Sequence, residues 1–321
     1  MGRGLVDVST ASGPWRAIAE QALLATGTFA LAATGAFALV VAAPGDPVDL
    51  MGVDEAVRPV LEARWGLDRS VPERLASWLS DAARGELGHS LSVRPGAPVG
   101  ELLVPALSRS APRLALATLF GALAASLLAV LPRRGVAALI PLLSAPPAFL
   151  AIHALVYGLN EAAFAGLQGG WWGRPSWFAL PDQASWLREA LAIAVLATAS
   201  GTLAAWREEL AQGVARWRVS PQALARLGRG ESLGPMVARH LLPATAVATA
   251  AQLPALVGGL VVVEKLLLLP GAGGLLWDAA LLRDHELVLS LATASALVVV
   301  AGGFALRAAA IALDPRRWVQ R

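Results

Sequence analysis

Six stretches of this chain contain no Asp, Glu, Lys or Arg: residues 21–45, 114–132, 135–160, 190–206, 240–263 and 287–306. A helix needs about 20 mostly apolar residues to cross a hydrocarbon core of roughly 30 Å, and about 17 still suffice. All six therefore read as transmembrane helices, the fourth being the shortest and dominated by Ala and Leu. A segment crossing a core without water must close its backbone hydrogen bonds internally, so the fold class is all-α, a polytopic membrane protein. Composition agrees, because 56% of the residues are hydrophobic and 15% charged, against about 25% charged in a soluble domain. The apolar run 266–277 is too short to span, and its Pro270, Gly271, Gly273 and Gly274 suit a re-entrant or interfacial turn.

An even number of spans puts both termini on one side, and the arginines choose it. Arg3, Arg16, Arg307, Arg316, Arg317 and Arg321 lie in the tails, Arg133 and Arg134 between the second and third spans, and Arg207, Arg216, Arg218, Arg226, Arg229 and Arg239 between the fourth and fifth. The two short connections on the other face hold only Arg174, Arg188, Lys265 and Arg283. The positive-inside rule then makes both termini cytoplasmic. The expected organisation is an N-terminal tail 1–20, a first span 21–45, an external helical loop 46–113, a five-helix core 114–313 with a cytoplasmic loop 207–239, and a tail 314–321. Trp171, Trp172, Trp177 and Trp186 would be outer interfacial anchors and Trp206 and Trp217 inner ones, or else packed loop residues.

Several classes of chemistry are excluded. There is no cysteine, so thiolate metal sites, disulfides and cysteine nucleophiles are absent. Lys265, the single lysine, follows Glu264, so no Gly-Lys-Ser/Thr phosphate loop exists. A net charge of +3 leaves no nucleic-acid footprint. His89, His153, His240 and His285 are scattered, and His285-Glu286 has Leu289 where a zinc-protease motif needs its second histidine. That argues against a membrane metalloenzyme. An ion-coupled secondary carrier would place carboxylates or histidines at mid-membrane depth, and only His153 lies well inside a window. That carrier is the alternative reading.

In the outer loop, 54–65 reads as a helix ending at Gly66. Ser70 with Glu73 forms a capping-box pattern, Leu75, Trp78, Leu79 and Ala82 recur at helical spacing, and Gly85 supplies a stop. This cap serves either as a lid on the bundle or as a contact for a soluble partner. In the inner loop, Ser220-Pro221 starts a short helix that runs to Leu227, and Gly228 and Gly230 end it. Gly234-Pro235 starts the helix of the fifth span, with Leu242-Pro243 near its entrance. Glu208 and Glu209 would cap the end of the fourth span. The short inner helix is either a lever gripped by a partner or a solvated basic connection.

The motifs, taken in order, carry a family likeness. After the first span come Pro44-Gly45-Asp46-Pro47, then Trp65-Gly66-Leu67-Asp68-Arg69, then Gly85-Glu86-Leu87-Gly88-His89-Ser90. Ser144-Ala145-Pro146-Pro147-Ala148-Phe149 follows in the third window, then Val261-Val262-Val263-Glu264, Leu269-Pro270-Gly271-Ala272-Gly273-Gly274, Arg283-Asp284 and Asp314-Pro315-Arg316. This series resembles the permease subunits of bacterial ABC importers of the dipeptide/oligopeptide/nickel type. The resemblance implies a passive pathway subunit that takes no cofactor. ATP would be bound by cytoplasmic partner subunits, a second permease would complete the pathway, and an extracellular or periplasmic binding protein would deliver the solute across the bacterial inner membrane. It also implies that 221–230 is the coupling helix, with Ala225, Arg226, Gly228, Gly230, Leu242 and Pro243 at the ATPase contact. Leu224-Ala225-Arg226 departs in two of three letters from the family's EAA, and His240 stands where an aliphatic residue is expected. Asp46, Asp68, Glu264, Pro270, Gly271, Gly273, Arg283 and Asp284 would lie on the external, receptor side. Ser144, Pro146, Pro147, His153, Gln252, Pro254 and Gly258 are candidate pathway residues, each of which also reads as a packing or kink residue.

Overall fold

The computed structural model describes residues 14–43, 48, 54, 56–64, 68–130, 140–142, 144–170, 185–231 and 234–313. The regular elements set out among the described residues are helices: α1 (Pro14–Ala42), α2 (Arg58–Arg64), α3 (Val71–Ala83), α4 (Val99–Val130), α5 (Ala148–Gln168), α6 (Ser185–Thr198), α7 (Thr202–Arg218), α8 (Pro221–Gly228), α9 (Gly234–Leu266), α10 (Ala272–Leu281) and α11 (His285–Leu313). Among them, α1, α4, α5, α9 and α11 are long and apolar enough to cross a membrane, and α6 with α7, bent by 46°, makes the number six when the pair is counted as one span. Large side chains such as Leu31, Leu39, Leu123, Leu127 and Phe164 stand out from α1, α4 and α5. Their contiguous exposure would be untenable in water and is ordinary for a helix facing lipid or another membrane chain.

Three spans depart from the charge-free windows. The second-span helix begins at Val99, before the window's start at 114, and within that early stretch Arg113 is 5% exposed and ion-paired to Glu189 and Glu264. The long helix of the third span starts at Ala148, after Pro146-Pro147, and runs to Gln168 past Glu161. The fourth breaks at Ala199–Gly201, where Ser200 (φ 57°) and Gly201 (φ 78°) turn left-handed. Helix then resumes through Glu208 and Glu209 to Arg218, so these acids lie inside α7 and do not end the span.

α11 lies along both α9 and α1, and α4 packs on α6, α7 and α9. The main core is Ala-rich and centres on Trp206, which is wholly buried among residues of α4, α6, α7 and α9. A Cβ at Gly121 of α4 would overlap the Trp206 ring, so that glycine makes room for the indole. Trp206 and Trp217 are therefore protein-packed and not interfacial anchors, whereas Trp186 is exposed. Trp171, Trp172 and Trp177 lie outside the described residues.

Outside the bundle, the capping box forms: the Ser70 amide donates to Glu73 Oε2 at 3.0 Å. Gly85 (φ 83°) follows the end of α3. Trp78 of α3 is buried against Phe37 of α1 and Leu289 of α11, which seats the cap on the first and last spans. The run after Glu264 is a turn followed by the short helix α10, held between α9, α4 and α11.

Candidate functional site

Three places gather the residues singled out by the sequence: a clasp at one end of the bundle, a docked break within it, and an exposed helix at the other end.

The clasp forms where α10 starts. The first amides of a helix have no intrahelical acceptor, and the N-cap here, Gly271, has no side chain to offer one. The acceptors come from elsewhere. Ser110 Oγ of α4 accepts from the Ala272 amide (2.8 Å), and Glu264 Oε2 accepts from the amides of Gly273 (2.8 Å) and Gly274 (3.3 Å). The other Glu264 oxygen accepts from Ser110 Oγ (2.6 Å) and Arg113 Nη1 (2.8 Å). Arg113 completes its fork on Glu189 of α6, with Nε at 2.5 Å and Nη2 at 2.7 Å, and Nη1 also donates to the Pro270 carbonyl (2.8 Å). Glu264 is fully buried, so its charge is tolerable only with all these donors in place. The glycines are dictated by proximity: a Cβ on Gly271 would run into the Glu264 carboxylate, and one on Gly273 would sit 2.6 Å from the Val261 backbone. Lys265 pairs with Asp278 and ties α9 to α10.

A second carboxylate holds the far end of the same segment. Asp284, also fully buried, caps α11 through the Leu287 amide (3.3 Å). Its Oδ2 accepts from Ser90 Oγ (2.5 Å) and from the successive amides of Leu91, Ser92 and Val93 (3.0 Å each). The Gly-Glu-Leu-Gly-His-Ser and Arg-Asp motifs, nearly 200 residues apart in sequence, are thus two halves of one joint. Gly88 (φ 75°) brings its backbone against Glu286. Arg283 (φ 54°) makes the turn into Asp284. Asp68 is exposed, and Asp46 lies outside the described residues.

The break in the fourth span receives the segment before α5. The Ser200 amide donates to the Pro146 carbonyl (2.9 Å) and the Gly201 amide to the Ser144 carbonyl (2.5 Å). In return Ser200 Oγ accepts from the Ala148 amide (3.0 Å). Two interrupted helices therefore satisfy each other's freed backbone groups, as irregular backbone at membrane depth must. Of the candidate pathway residues, Ser144, Pro146 and Pro147 gather here. His153 is exposed on α5, its Nδ1 2.7 Å from the Phe149 carbonyl. Gln252 is half-buried on α9, and Pro254 and Gly258 stand on an open face of that helix together with Val247, Ala251 and Ala255.

At the other end of the bundle, α8 starts at Ser220, whose Oγ accepts from the Ala223 amide (3.3 Å). Pro221 fills the first turn, where its missing N–H removes no bond. Ala223 is buried with Val214 and Trp217 of α7 and Val237 of α9, while Leu224 and Leu227 are about half exposed on the other face. Ala225 and Gly228 are exposed too, and Gly230 (φ 73°) makes the turn out. Glu231 accepts from Arg226 Nη1 (2.9 Å) and Arg229 Nε (2.7 Å), closing the end of α8. These contacts, Arg229 first, hold the Glu231 carboxyl below its ordinary value. Leu242 is exposed on α9 and Pro243 is half-buried. The His240 side chain lies outside the described residues.

Sequence reasoning passed over Ser110, Arg113, Glu189 and Glu231. The available signal was placement: Arg113 and Glu189 are the charges that immediately border two apolar windows, and opposite charges at matching depth invite pairing.

No family model matches the chain. It is 26% identical over 311 residues to the oligopeptide transport system permease protein AppB of Bacillus subtilis, covering 87% of this chain and 91% of that protein. It is likewise 26% identical, with the same coverage, to proteins of Brucella ovis and Brucella suis biovar 1 described as peptide permeases. Its relatives are peptide permeases. The likeness read from the ordered motifs thus extends over nearly the whole length of both chains, and the chain, similar to these permeases throughout, is a multi-pass membrane protein.

Proposed function

We propose that this chain is one of two permease subunits of an ATP-driven importer of peptides or similar small solutes, and that it works by alternating access in the bacterial inner membrane with both termini cytoplasmic. The observation that carries the reading is α8: a short helix outside the spans, glued by one apolar residue to α7 and α9, with Leu224 and Leu227 facing outward. An exposed apolar edge on a helix that is rigidly based is what a partner's groove can grip. ATP would bind to that partner, and this chain would supply no nucleotide site. A second permease would cover part of the apolar exterior. An external binding protein would meet the outer face, where α10 is clasped at both ends. The open face of α9 around Pro254 and Gly258, with Gln252 beside it, would line the pathway.

The test is co-purification in mild detergent with the ATPase and second permease expressed from the same genome. The complex is expected to form with the native chain and to lose the ATPase when Leu224 and Leu227 are both changed to Asp. Retention of the ATPase would sink the coupling role. Uptake by the lone reconstituted chain, driven by an ion gradient, would replace the whole reading with the secondary carrier.

A further inference from the structure

The bend in the fourth span and the segment docked on it have no part in the coupling contact itself. We propose that Ala199–Gly201 is the joint at which motion of α8 enters the membrane, and that residues 144–147 make α5 move with α7 while α6 stays with the clasp. The proposal rests on the coupling reading above.

Three observations point there. α8 is joined to α7 directly through Val219 and Ser220, with the Ser220 amide bonded to the Trp217 carbonyl (2.9 Å) and Ala223 buried on Val214 and Trp217. A displacement of α8 therefore reaches α7 first. At the other end of α7 the helical ladder is interrupted. The Ser200 and Gly201 amides, which in a straight span would bond back into α6, bond instead to Pro146 and Ser144. The bend angle is then governed by a few backbone torsions, two of them already in the left-handed region. Finally, α6 is fixed on the outer side, because Glu189 in its first turns is held in the Arg113 fork.

The direction of coupling follows from what would be lost. Separating 144–147 from Ser200 and Gly201 would strip three amides, two carbonyls and a hydroxyl of these partners, each such group costing several kcal/mol where hydrocarbon rather than water replaces the partner. Changing the bend alone strands none. So α5 rides with α7, and the relative motion falls between α6 and α7.

The native chain has no cysteine, so paired labels attach only where they are introduced. In the assembled complex, spin labels at Ala190→Cys on α6 and Ala215→Cys on α7 report the bend. Labels at Tyr157→Cys and Ala215→Cys report α5 against α7, and labels at Leu116→Cys and Leu127→Cys give an uninterrupted reference on α4. On trapping with ATP and vanadate the first distance is expected to shift by several Å, and the other two to hold. An unchanged first distance in a complex that still turns over ATP overturns the joint. A second distance that changes as much as the first overturns the ride of α5. Loss of the ATPase from the native complex would instead strike the coupling reading.

Discussion

Glu264 and Asp284 are both fully buried carboxylates, yet they are held by different kinds of donor, and their substitutions should therefore fail differently. Glu264 answers a guanidinium as well as amides, so Glu264→Ala leaves Arg113 with Glu189 and the Pro270 carbonyl, and strips the Gly273 and Gly274 amides of their acceptor. Breaking a buried pair by removing one partner costs about 3–5 kcal/mol. A clear fall in the melting temperature of the solubilised protein, followed by tryptophan fluorescence, is expected, and removing the charge on both sides with Arg113→Met should recover part of it. Asp284 answers mainly backbone amides of the loop at 90–93, so Asp284→Ala should free that loop more than it melts the bundle. The readout is faster amide exchange at Leu91, Ser92 and Val93, whose amides lose their acceptor. The glycines offer a sharper contrast. Gly273→Ala forces a Cβ onto the Val261 backbone and should cost about 1–3 kcal/mol by overpacking. Gly258→Ala meets open space within a helix and should stabilise by up to about 1 kcal/mol. Finding the two alike in thermal stability would contradict the packing described.

At the scale of elements, α8 shows what was legible in the sequence. Ser220, Pro221 and Gly230 fix its start and end by local chemistry, and the structure forms it from Pro221 to Gly228. Capping signals of this kind act within one turn, so no tertiary knowledge is needed. The six windows were equally legible, because hydrocarbon imposes length and apolarity residue by residue. What escaped were features created by contact between distant segments: the burial of Arg113 on α4, where it meets Glu189 and Glu264, and the break of the fourth span, which 144–147 arrive to satisfy. Nothing in the run around Ser200 announces which segment will dock there. For α8 itself, Ser220→Ala should cost about 1 kcal/mol of local helix stability, seen as faster amide exchange over 221–228. Acid acts at the other end. Glu231 has its pKa lowered by Arg229 and Arg226, so its contribution is full above the ordinary carboxylate value and is lost as pH falls through the depressed one. Protection over α8, taken relative to the intrinsic exchange rate at each pH, should fall in that acid window, and Glu231→Gln should abolish that fall.

For the whole molecule the decisive quantity is orientation, since every functional statement about a receptor side and an ATPase side depends on it. The spans alone are symmetric in this respect, and the arginine distribution breaks the symmetry. In the proposed orientation it puts the α7–α8 surface, with Arg216, Arg218, Arg226 and Arg229, in the cytoplasm, and the joint of Asp284 with the 90–93 loop outside. The clasp makes the external half of α10 and α4 stiff, while the inner half is tied to α8 through a small apolar cluster, so the two faces are built for different tasks. Because the chain lacks cysteine, single thiols can be read one at a time. Gln222→Cys on α8 and Glu86→Cys on the outer loop are both solvent-facing and outside the clasp contacts. A membrane-impermeant maleimide should label Glu86→Cys in cells whose inner membrane is sealed and reach Gln222→Cys only after that membrane is opened. The reverse pattern would turn the molecule over and place α8 where no ATPase could grip it. Labelling of both in sealed cells would mean that the chain does not separate the two compartments at these positions, and the six-span arrangement would fall with the orientation.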